Sequence, residues 1–318
     1  MKMGFLPTLW FQFLSTLPLF ILILLGFLLI KRLKWPKTVT DSLTKFTFSV
    51  AIPIMLFHIM SHFSEQPSAD YRLLFAFFGG TLLVFILGRI IAAKCFKLDG
   101  ASGTMFAMGG IYSNNVFVGL PIVRALLGDE AVPSVALVVV FSALILWTLA
   151  TISIEFAQIG KFSSSGIKKA IQGVFKNPVI LGILAGLIVN YSRVPLPQFV
   201  NKSTQMVGDM AAPLSLIVLG MGLAEYKIRE GLKVSSLICV LKLAILPLVI
   251  YGIARLLNLP TLETYVVVLL GSMSIAINCY IMSRQFNLLQ PEIASSLLVS
   301  TVLSSFTTPL ILAILTHI

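Results

Sequence analysis

Long apolar runs constrain the fold of this chain more than any other feature of its sequence. Runs of about 20 residues recur from one end to the other, and each is long enough to cross a bilayer as a helix. Only 11% of the 318 residues are charged, whereas a soluble globular chain carries roughly 25%. Because the runs are continuous and do not alternate between polar and apolar residues, they predict helices and not the strands of a barrel. The sequence therefore predicts an all-α polytopic membrane protein.

Charged and turn-rich breaks divide these runs into ten predicted transmembrane spans. In chain order, spans 1 to 10 cover 9–30, 43–63, 71–93, 101–126, 131–156, 177–192, 204–224, 234–257, 262–283 and 292–316. The segments that follow the odd-numbered spans are rich in basic residues, namely Lys31, Arg32, Lys34, Lys37, Lys94, Lys97, Lys161, Lys168, Lys169, Lys176, Lys227, Arg229, Lys233 and Arg284. By the positive-inside rule these segments are cytoplasmic, so both termini face away from the cytoplasm, and we expect a bacterial inner membrane protein. The net charge of +11 thus reflects orientation in the bilayer, and we expect no nucleic-acid partner.

The order of prolines and glycines indicates an internal repeat of five spans. A separation of 160 residues matches Pro18 with Pro178, Gly26 with Gly186 and Pro53 with Pro213. An odd number of spans in each half places the second half upside down relative to the first, as in many secondary transporters. We therefore predict a first repeat over 1–157, a cytoplasmic basic loop over 158–176 and a second, inverted repeat over 177–318.

Two predicted spans are interrupted by polar and small residues near their middle. Span 4 contains Gly109, Gly110, Ser113, Asn114, Asn115, Gly119 and Pro121, and span 9 contains Gly271, Ser272, Ser274, Asn278 and Cys279. In hydrocarbon a helix is broken only where protein or a wet cavity replaces lipid, and interruptions in corresponding spans of two halves indicate a transport site. Broken helices present N-termini that favour anions, and asparagine amides can donate to a carboxylate. The alternative is that these residues serve only close helix packing and interhelical hydrogen bonds.

Charged residues inside the predicted spans are further functional candidates. Asp209, about one turn before Pro213, is a candidate to carry a proton or pair with a cation, or is an interfacial residue. Lys242, about two turns into span 8, is a candidate to attract an anion, or it extends to the cytoplasmic surface.

We find no enzyme signature in the sequence. The three histidines, His58, His62 and His317, have no acidic or cysteine neighbours at metal-ligand spacing. A phosphate-binding loop and a GxSxG nucleophile elbow are both absent from the sequence. We therefore expect a non-enzyme without a cofactor or a metal.

The chain resembles the auxin efflux carrier family, which contains plant auxin exporters and bacterial permeases proposed for malonate and malate. The resemblance covers nearly the whole chain and is carried by the segments "SNNVFVGLPIVRALLGDEAV", "NPVILGILAGLIV", "LKLAILPLV" and "SRQFNLLQPEIASS". It implies inverted five-helix repeats like those of bile-acid symporters and sodium/proton antiporters, with spans 4 and 9 broken and crossing at the centre. It also implies a scaffold of spans 1, 2, 6 and 7 that forms a homodimer, and a mobile transport domain of spans 3–5 and 8–10.

The resemblance further implies that the asparagine ahead of the crossover proline in span 4 contacts a substrate carboxylate. Asn114 matches this position when counted back from Pro121, whereas Asn115 matches the internal repeat, so the role is carried to both. Many relatives have a proline at the crossing in span 9, but this sequence has "SIAINCYIM", where Ser274 and Asn278 would stabilise the opened backbone. The large hydrophilic loop of the long plant carriers is also missing, which disfavours auxin as the substrate.

These observations predict a secondary carrier that moves a small organic anion, a mono- or dicarboxylate, by alternating access. Predicted substrate-binding residues are Asn114, Asn115, Asn278, Ser113 and Ser274; predicted hinges are Gly110, Gly119, Pro121 and Gly271; coupling candidates are Asp209 and Lys242. One alternative is a sodium symporter or cation/proton antiporter of the same fold, with sodium or protons as partners. Against it, neither "YSNNVF" nor "IAINCY" contains the acidic residue typical of such antiporters. A second alternative is a membrane scaffold or receptor that transports nothing.

Overall fold

The computed structural model describes residues 4–65, 70–159, 176–193, 195–224 and 231–317. In these ranges the chain forms helices joined by short turns, with one isolated β-bridge and no strands. The helices are α1 Phe5–Lys31, α2 Lys37–Ser61, α3 Arg72–Phe96, α4 Gly100–Ile111, α5 Asn115–Leu127, α6 Val132–Ile159, α7 Pro178–Ser192, α8 Gln198–Leu223, α9 Leu232–Leu256, α10 Thr261–Ser272, α11 Ile277–Phe286 and α12 Gln290–His317. Most of the predicted basic loop over 158–176, and Lys227 and Arg229 of the next one, lie outside the described residues.

Within the described ranges, seven helices are long and apolar enough to cross a membrane. These are α1, α2, α3, α6, α8, α9 and α12, and three shorter apolar helices are α5, α7 and α10. The prediction of an all-α polytopic membrane protein is therefore confirmed. The division into ten spans stays a prediction, with α4 and α5 corresponding to span 4 and α10 and α11 to span 9.

Three helices contain a π-helical segment placed just before a proline. The segments are Thr47–Ala51 in α2, Asn115–Gly119 at the start of α5 and Leu241–Ile245 in α9, and Pro53, Pro121 and Pro247 follow them. Proline has no backbone N–H and its ring clashes with the carbonyl four residues earlier. Widening the preceding turn accommodates the ring, and such bulges are frequent at functional sites.

Glycines allow α1 and α8 to approach each other closely. A Cβ atom at Gly26 would lie 1.9 Å from the carbonyl oxygen of Ile217, and one at Gly220 would lie 1.9 Å from that of Ile23. Both distances are far below van der Waals contact, so only glycine fits at either position. α2 packs in turn against α7 and α8, so α1, α2, α7 and α8 form a connected group of helices.

Candidate functional site

The two interrupted helices meet at their breaks. α4 ends at Ile111 and α5 begins at Asn115, while α10 ends at Ser272 and α11 begins at Ile277. Between these ends the chain is extended, and Ser113 forms an antiparallel bridge with Ile275. The backbone N–H of Asn114 donates to the carbonyl of Ser274 at 2.9 Å, and that of Ala276 donates to the carbonyl of Tyr112 at 2.9 Å. Each break thus satisfies backbone groups of the other, as unwound chain inside a membrane requires.

A serine of α12 completes the break between α10 and α11. The backbone N–H of Ile275 donates to Ser300 Oγ at 3.1 Å, and Ser300 Oγ donates to the carbonyl of Leu297 at 3.2 Å. This contact accounts for an interrupted helix at a point where the sequence has no proline. Ser300 was missed by the sequence analysis, although it belongs to a buried stripe of hydroxyl residues four apart on α12, namely Ser296, Ser300, Ser304 and Thr308.

Replacing Ser300 by alanine is expected to destabilise the protein by about 1–3 kcal/mol, the cost of leaving a buried N–H without a partner. Ser304 is the matched control, because it is buried on the same helix and bonds only the carbonyl of Thr301. Thermal unfolding in detergent checks this. Equal melting temperatures for S300A and S304A would contradict the role given to Ser300.

The two helices that restart after the breaks direct their N-termini toward the crossing. Asn114 caps α5, because its Oδ1 accepts the backbone N–H of Phe117 at 3.3 Å. Its carbonyl accepts from Val118 and Gly119, which sets the wide first turn of α5. α11 begins directly after Ala276, which is still bound to Tyr112. Helix N-termini carry partial positive charge and free N–H groups, so this arrangement favours an anion.

Several polar side-chain atoms at the crossing are buried without a hydrogen-bond partner among the described residues. Ser113, Asn114, Asn115 and Ser274 are at most 4% exposed. In the described part of the chain, no hydrogen-bond partner contacts Ser113 Oγ, Asn114 Nδ2, Asn115 Nδ2, Asn115 Oδ1 or Ser274 Oγ. A buried polar atom without a partner costs about 1–3 kcal/mol. Five such atoms at one place, including two asparagine amide groups, are suited to holding a polar ligand.

A cavity of about 70 Å³ opens beside these side chains and is termed the crossing cavity. Its lining consists of Phe48, Tyr112 to Phe117, Val139, Ser142, Asn177 and Ala276 to Asn278. Three of the predicted asparagines and Ser113 therefore line one cavity, whereas Ser274 is buried behind it. The volume suffices for a few water molecules or a carboxylate group. Asn278 differs from the other two asparagines because it is exposed and interacts with the Tyr112 hydroxyl.

The predicted hinge residues lie at the ends of the broken helices. Gly110 is in the last turn of α4 and contacts Leu241 of α9, while Gly271 is in the last turn of α10. Gly119 and Pro121 lie in the first turns of α5, where a side chain on Gly119 would lie 3.5 Å from Asn115 Oδ1. All four lie close to the breaks, and their role as hinges stays a prediction.

The two coupling candidates lie in different places. Lys242 is fully buried, so the prediction that it extends to the cytoplasmic surface is wrong. Its Nζ donates a hydrogen bond to the carbonyl of Gly271, at the C-terminal end of the half-helix α10. A cation at a helix C-terminus interacts favourably with the helix dipole.

Asp209 lies away from the crossing, with 58% of its side chain exposed. It accepts a hydrogen bond from Arg124 Nη2 at 3.3 Å. The alternative that Asp209 is an interfacial residue therefore fits the geometry, and a place at the crossing does not. Asp209 is not the residue of α8 that reaches α5 near the crossing. That residue is Ser215, which donates to the carbonyl of Phe117 at 3.3 Å.

Paired helix breaks around buried asparagines define a membrane transport protein, and comparison with known proteins gives the same class. Residues 11–312 match the model of the family described as "Membrane transport protein", so the chain belongs to this family, which is the auxin efflux carrier family.

Relatives of the chain come from bacteria, archaea and plants. A "Putative malonate transporter" of Rhizobium meliloti is 26% identical over 292 residues, which cover 91% of each chain. "Auxin efflux carrier component 8" of Arabidopsis thaliana is 22% identical over 89% of this chain and 91% of the relative. An "Uncharacterized transporter" of Methanothermobacter thermautotrophicus is 24% identical over 93% of this chain and 96% of the relative. All three are named as carriers or transporters and none as an enzyme.

Proposed function

We propose that this protein is a secondary transporter of small carboxylate anions that works by alternating access. The observation that carries the proposal is the set of buried, unpartnered polar atoms of Ser113, Asn114, Asn115 and Ser274 at the N-termini of α5 and α11. Amide N–H groups and helix N-termini stabilise a carboxylate without binding it irreversibly, since they carry only partial charges. A carrier needs this balance because it must release its cargo.

We further propose that the ten spans form two inverted five-helix repeats, with α1, α2, α7 and α8 as scaffold and the remaining helices as transport domain. Two helix contacts that the internal repeat relates to each other support this arrangement. Gly26 meets the carbonyl of Ile217, and Gly186 meets the carbonyl of Phe57 at 2.6 Å for an ideal Cβ. Shifting each residue of the first pair by 160, forward or back, yields the second pair. Inverted repeats of bile-acid symporters and sodium/proton antiporters have a binding site at such a midplane crossing.

The backbone bonds at the crossing support the same symmetry. A shift of 162 residues exchanges Asn114 with Ala276 and Tyr112 with Ser274, which are the two donors and the two acceptors. Each repeat then contributes one half-helix N-terminus and at least one asparagine, with Asn278 from the second repeat. Two helix N-termini with partial positive charge suit a substrate with two carboxylates. The Rhizobium relative, whose name includes malonate, makes a short dicarboxylate the first substrate to test.

Coupling and assembly complete the proposal. Lys242, fixed to the end of α10, would compensate substrate charge inside the membrane, while Asp209 would act at the edge of the transport path. Protons or sodium ions are the candidate coupling ions. The protein would lie as a homodimer in the bacterial inner membrane, with both termini outside the cytoplasm, as the basic loops predict.

Uptake of labelled malonate into proteoliposomes tests the proposed function. Asn115→Ala is expected to reduce uptake about 10- to 100-fold, because the variant loses hydrogen bonds to a charged group. Asn278→Ala is expected to reduce uptake in the same direction. Asn190→Ala is the matched control, since Asn190 bonds Ser64 at an exposed site far from the crossing. Unchanged uptake in both crossing variants would remove the crossing from the mechanism. A sodium flux without an organic substrate would favour the cation-transport alternative.

A further inference from the structure

A single cation connects the crossing helix to α8 at one edge of the molecule. Arg124 lies nine residues after Asn115 on α5, about 14 Å further along the helix axis. Its Nε donates to Asp129 Oδ1 at 2.5 Å, and its Nη2 donates to Asp209 Oδ1 at 3.3 Å. Asp129 follows α5 in the chain, whereas Asp209 belongs to α8. The Arg124–Asp209 ion pair therefore bridges two elements that alternating access has to separate.

A cavity of about 460 Å³ lies beside this ion pair and is termed the Arg124 cavity. Its lining consists of Leu19, Leu22, Pro121, Arg124, Ala125, Gly128, Asp129, Ala212 and Pro213. Apart from Arg124 and Asp129 these residues are apolar. A short hydrocarbon with a charged end fits such a lining, because apolar walls with a few polar groups are typical of small-molecule sites.

The two carboxylates hold Arg124 unequally. Asp129 is bound at the shorter distance and lies five residues after Arg124, just past the end of α5. Asp209 is bound at 3.3 Å and has a mostly exposed side chain. A mostly exposed carboxylate at this distance contributes little net stability, whereas the mostly buried Arg124 guanidinium can bind a carboxylate through two parallel hydrogen bonds. A dissolved carboxylate can therefore replace Asp209 on Arg124.

We infer that Arg124 is an anion-binding residue of this cavity, where the carboxylate of an entering substrate exchanges with the carboxylate of Asp209. The inference rests on the proposed transport function and adds a second binding step to it. Exchange releases α8 from α5 on this side, which the charge pattern predicts to be extracytoplasmic. The hydrogen bond described above, from Ser215 to the carbonyl of Phe117, is neutral and 3.3 Å long, and apart from the ion pair the other contacts between α8 and α5 are packing contacts. Substrate arrival thus weakens the closure between the Arg124 cavity and the crossing.

A cysteine reporter at Ala212 tests the inference with malonate as the probe. Ala212 lines the Arg124 cavity, and replacing exposed Cys95 by serine leaves only the buried Cys239 and Cys279 as background. The protein in nanodiscs is labelled with an uncharged maleimide at increasing malonate concentration, with sodium chloride at equal ionic strength as control. We expect malonate to slow labelling and chloride to have little effect.

Variants of the Arg124–Asp209 ion pair distinguish binding of malonate to Arg124 from a general effect of ionic strength. R124Q is expected to raise the malonate concentration needed for protection about ten-fold or more, because a charge-assisted contact is lost. R124K keeps the charge but not the two-pronged geometry, so an intermediate shift is expected. D209N removes the competing carboxylate and is expected to lower the protecting concentration.

Several outcomes would overturn the inference. They are absent protection by malonate, equal protection by chloride, unchanged protection in R124Q, and a higher protecting concentration in D209N. Asn115→Ala in the reporter background separates the inference from the proposed function. Retained protection with lost uptake supports two distinct sites, whereas protection without any uptake by the parent protein would refute the proposed function and leave the Arg124 site standing.

Discussion

Replacing Gly220 by alanine is expected to destabilise the protein by about 3 kcal/mol or more, beyond the usual cost of overpacking a core. The added Cβ would lie 1.9 Å from the carbonyl oxygen of Ile23 and 2.9 Å from the amide nitrogen of Phe27. Both atoms belong to the backbone of α1, so no side-chain rotation relieves the clash and the two helices must separate. Thermal unfolding of the detergent-solubilised protein measures the effect.

Gly222 is the matched control for this substitution. It lies on the same helix two residues later, and no described atom outside its own stretch of helix lies within 4 Å of its ideal Cβ. Gly222→Ala is expected to leave stability unchanged or to raise it by about 0.5–1 kcal/mol, since alanine favours the helix. Gly26→Ala is expected to behave like Gly220→Ala, because a Cβ at Gly26 of α1 would clash with the carbonyl of Ile217 on α8. Similar melting temperatures for the Gly220 and Gly222 variants would contradict the described packing.

Long helices could be predicted from the sequence because their signal is local. The run 9–30 became α1 Phe5–Lys31, and the run 71–93 became α3 Arg72–Phe96. A continuous apolar segment specifies a membrane helix whatever it packs against, since each backbone group is satisfied within the helix. The ends differ by a few residues because a helix extends past the hydrocarbon, as α1 does to Lys31.

The interruptions could be predicted only in part. Glycines and asparagines between Gly109 and Pro121 predicted an interruption of span 4, and the structure has a break between Ile111 and Asn115. The second break was the weaker prediction because it has no proline, and its opened backbone is held by the first break and by Ser300, which lies 25 residues after Ile275. A helix broken by contacts with other helices leaves no local signal at the break itself.

The sequence shows which charged residues fall in apolar segments, but it does not show whether each is buried or exposed. Asp209 and Lys242 both stand in apolar segments, yet Asp209 is mostly exposed and Lys242 is fully buried. The difference comes from tertiary partners, Arg124 for the first and the end of α10 for the second. Arg124 falls within predicted span 4 and was not among the candidates, because its contact with Asp209 depends on how α5 and α8 pack.

Replacing Lys242 by methionine is expected to reduce malonate uptake at least about 100-fold while leaving thermal stability unchanged or increased. The loss follows from charge compensation: an anion inside the membrane without a nearby cation costs several kcal/mol. Lys242 is the fully buried lysine of the described chain, and its Nζ at the C-terminal end of α10 lies beside the crossing helices. Stability should not fall, because replacing a buried charge by an apolar side chain of similar size is often neutral or stabilising. Measuring the change in uptake together with the change in melting temperature therefore distinguishes a lysine needed for transport from one needed for folding.

Lys242→Arg is the control that retains the charge, and it is expected to keep more uptake than Lys242→Met despite its larger head group. Uptake and melting temperature are measured for both variants in the same proteoliposomes and detergent. A Lys242→Met protein that transports malonate at the parent rate would contradict charge compensation by this residue. A large fall in melting temperature with uptake per folded molecule unchanged would instead assign Lys242 to packing at the end of α10. A role in transport predicts lost uptake with an unchanged or higher melting temperature, whereas a role in packing predicts a lower melting temperature with unchanged uptake per folded molecule.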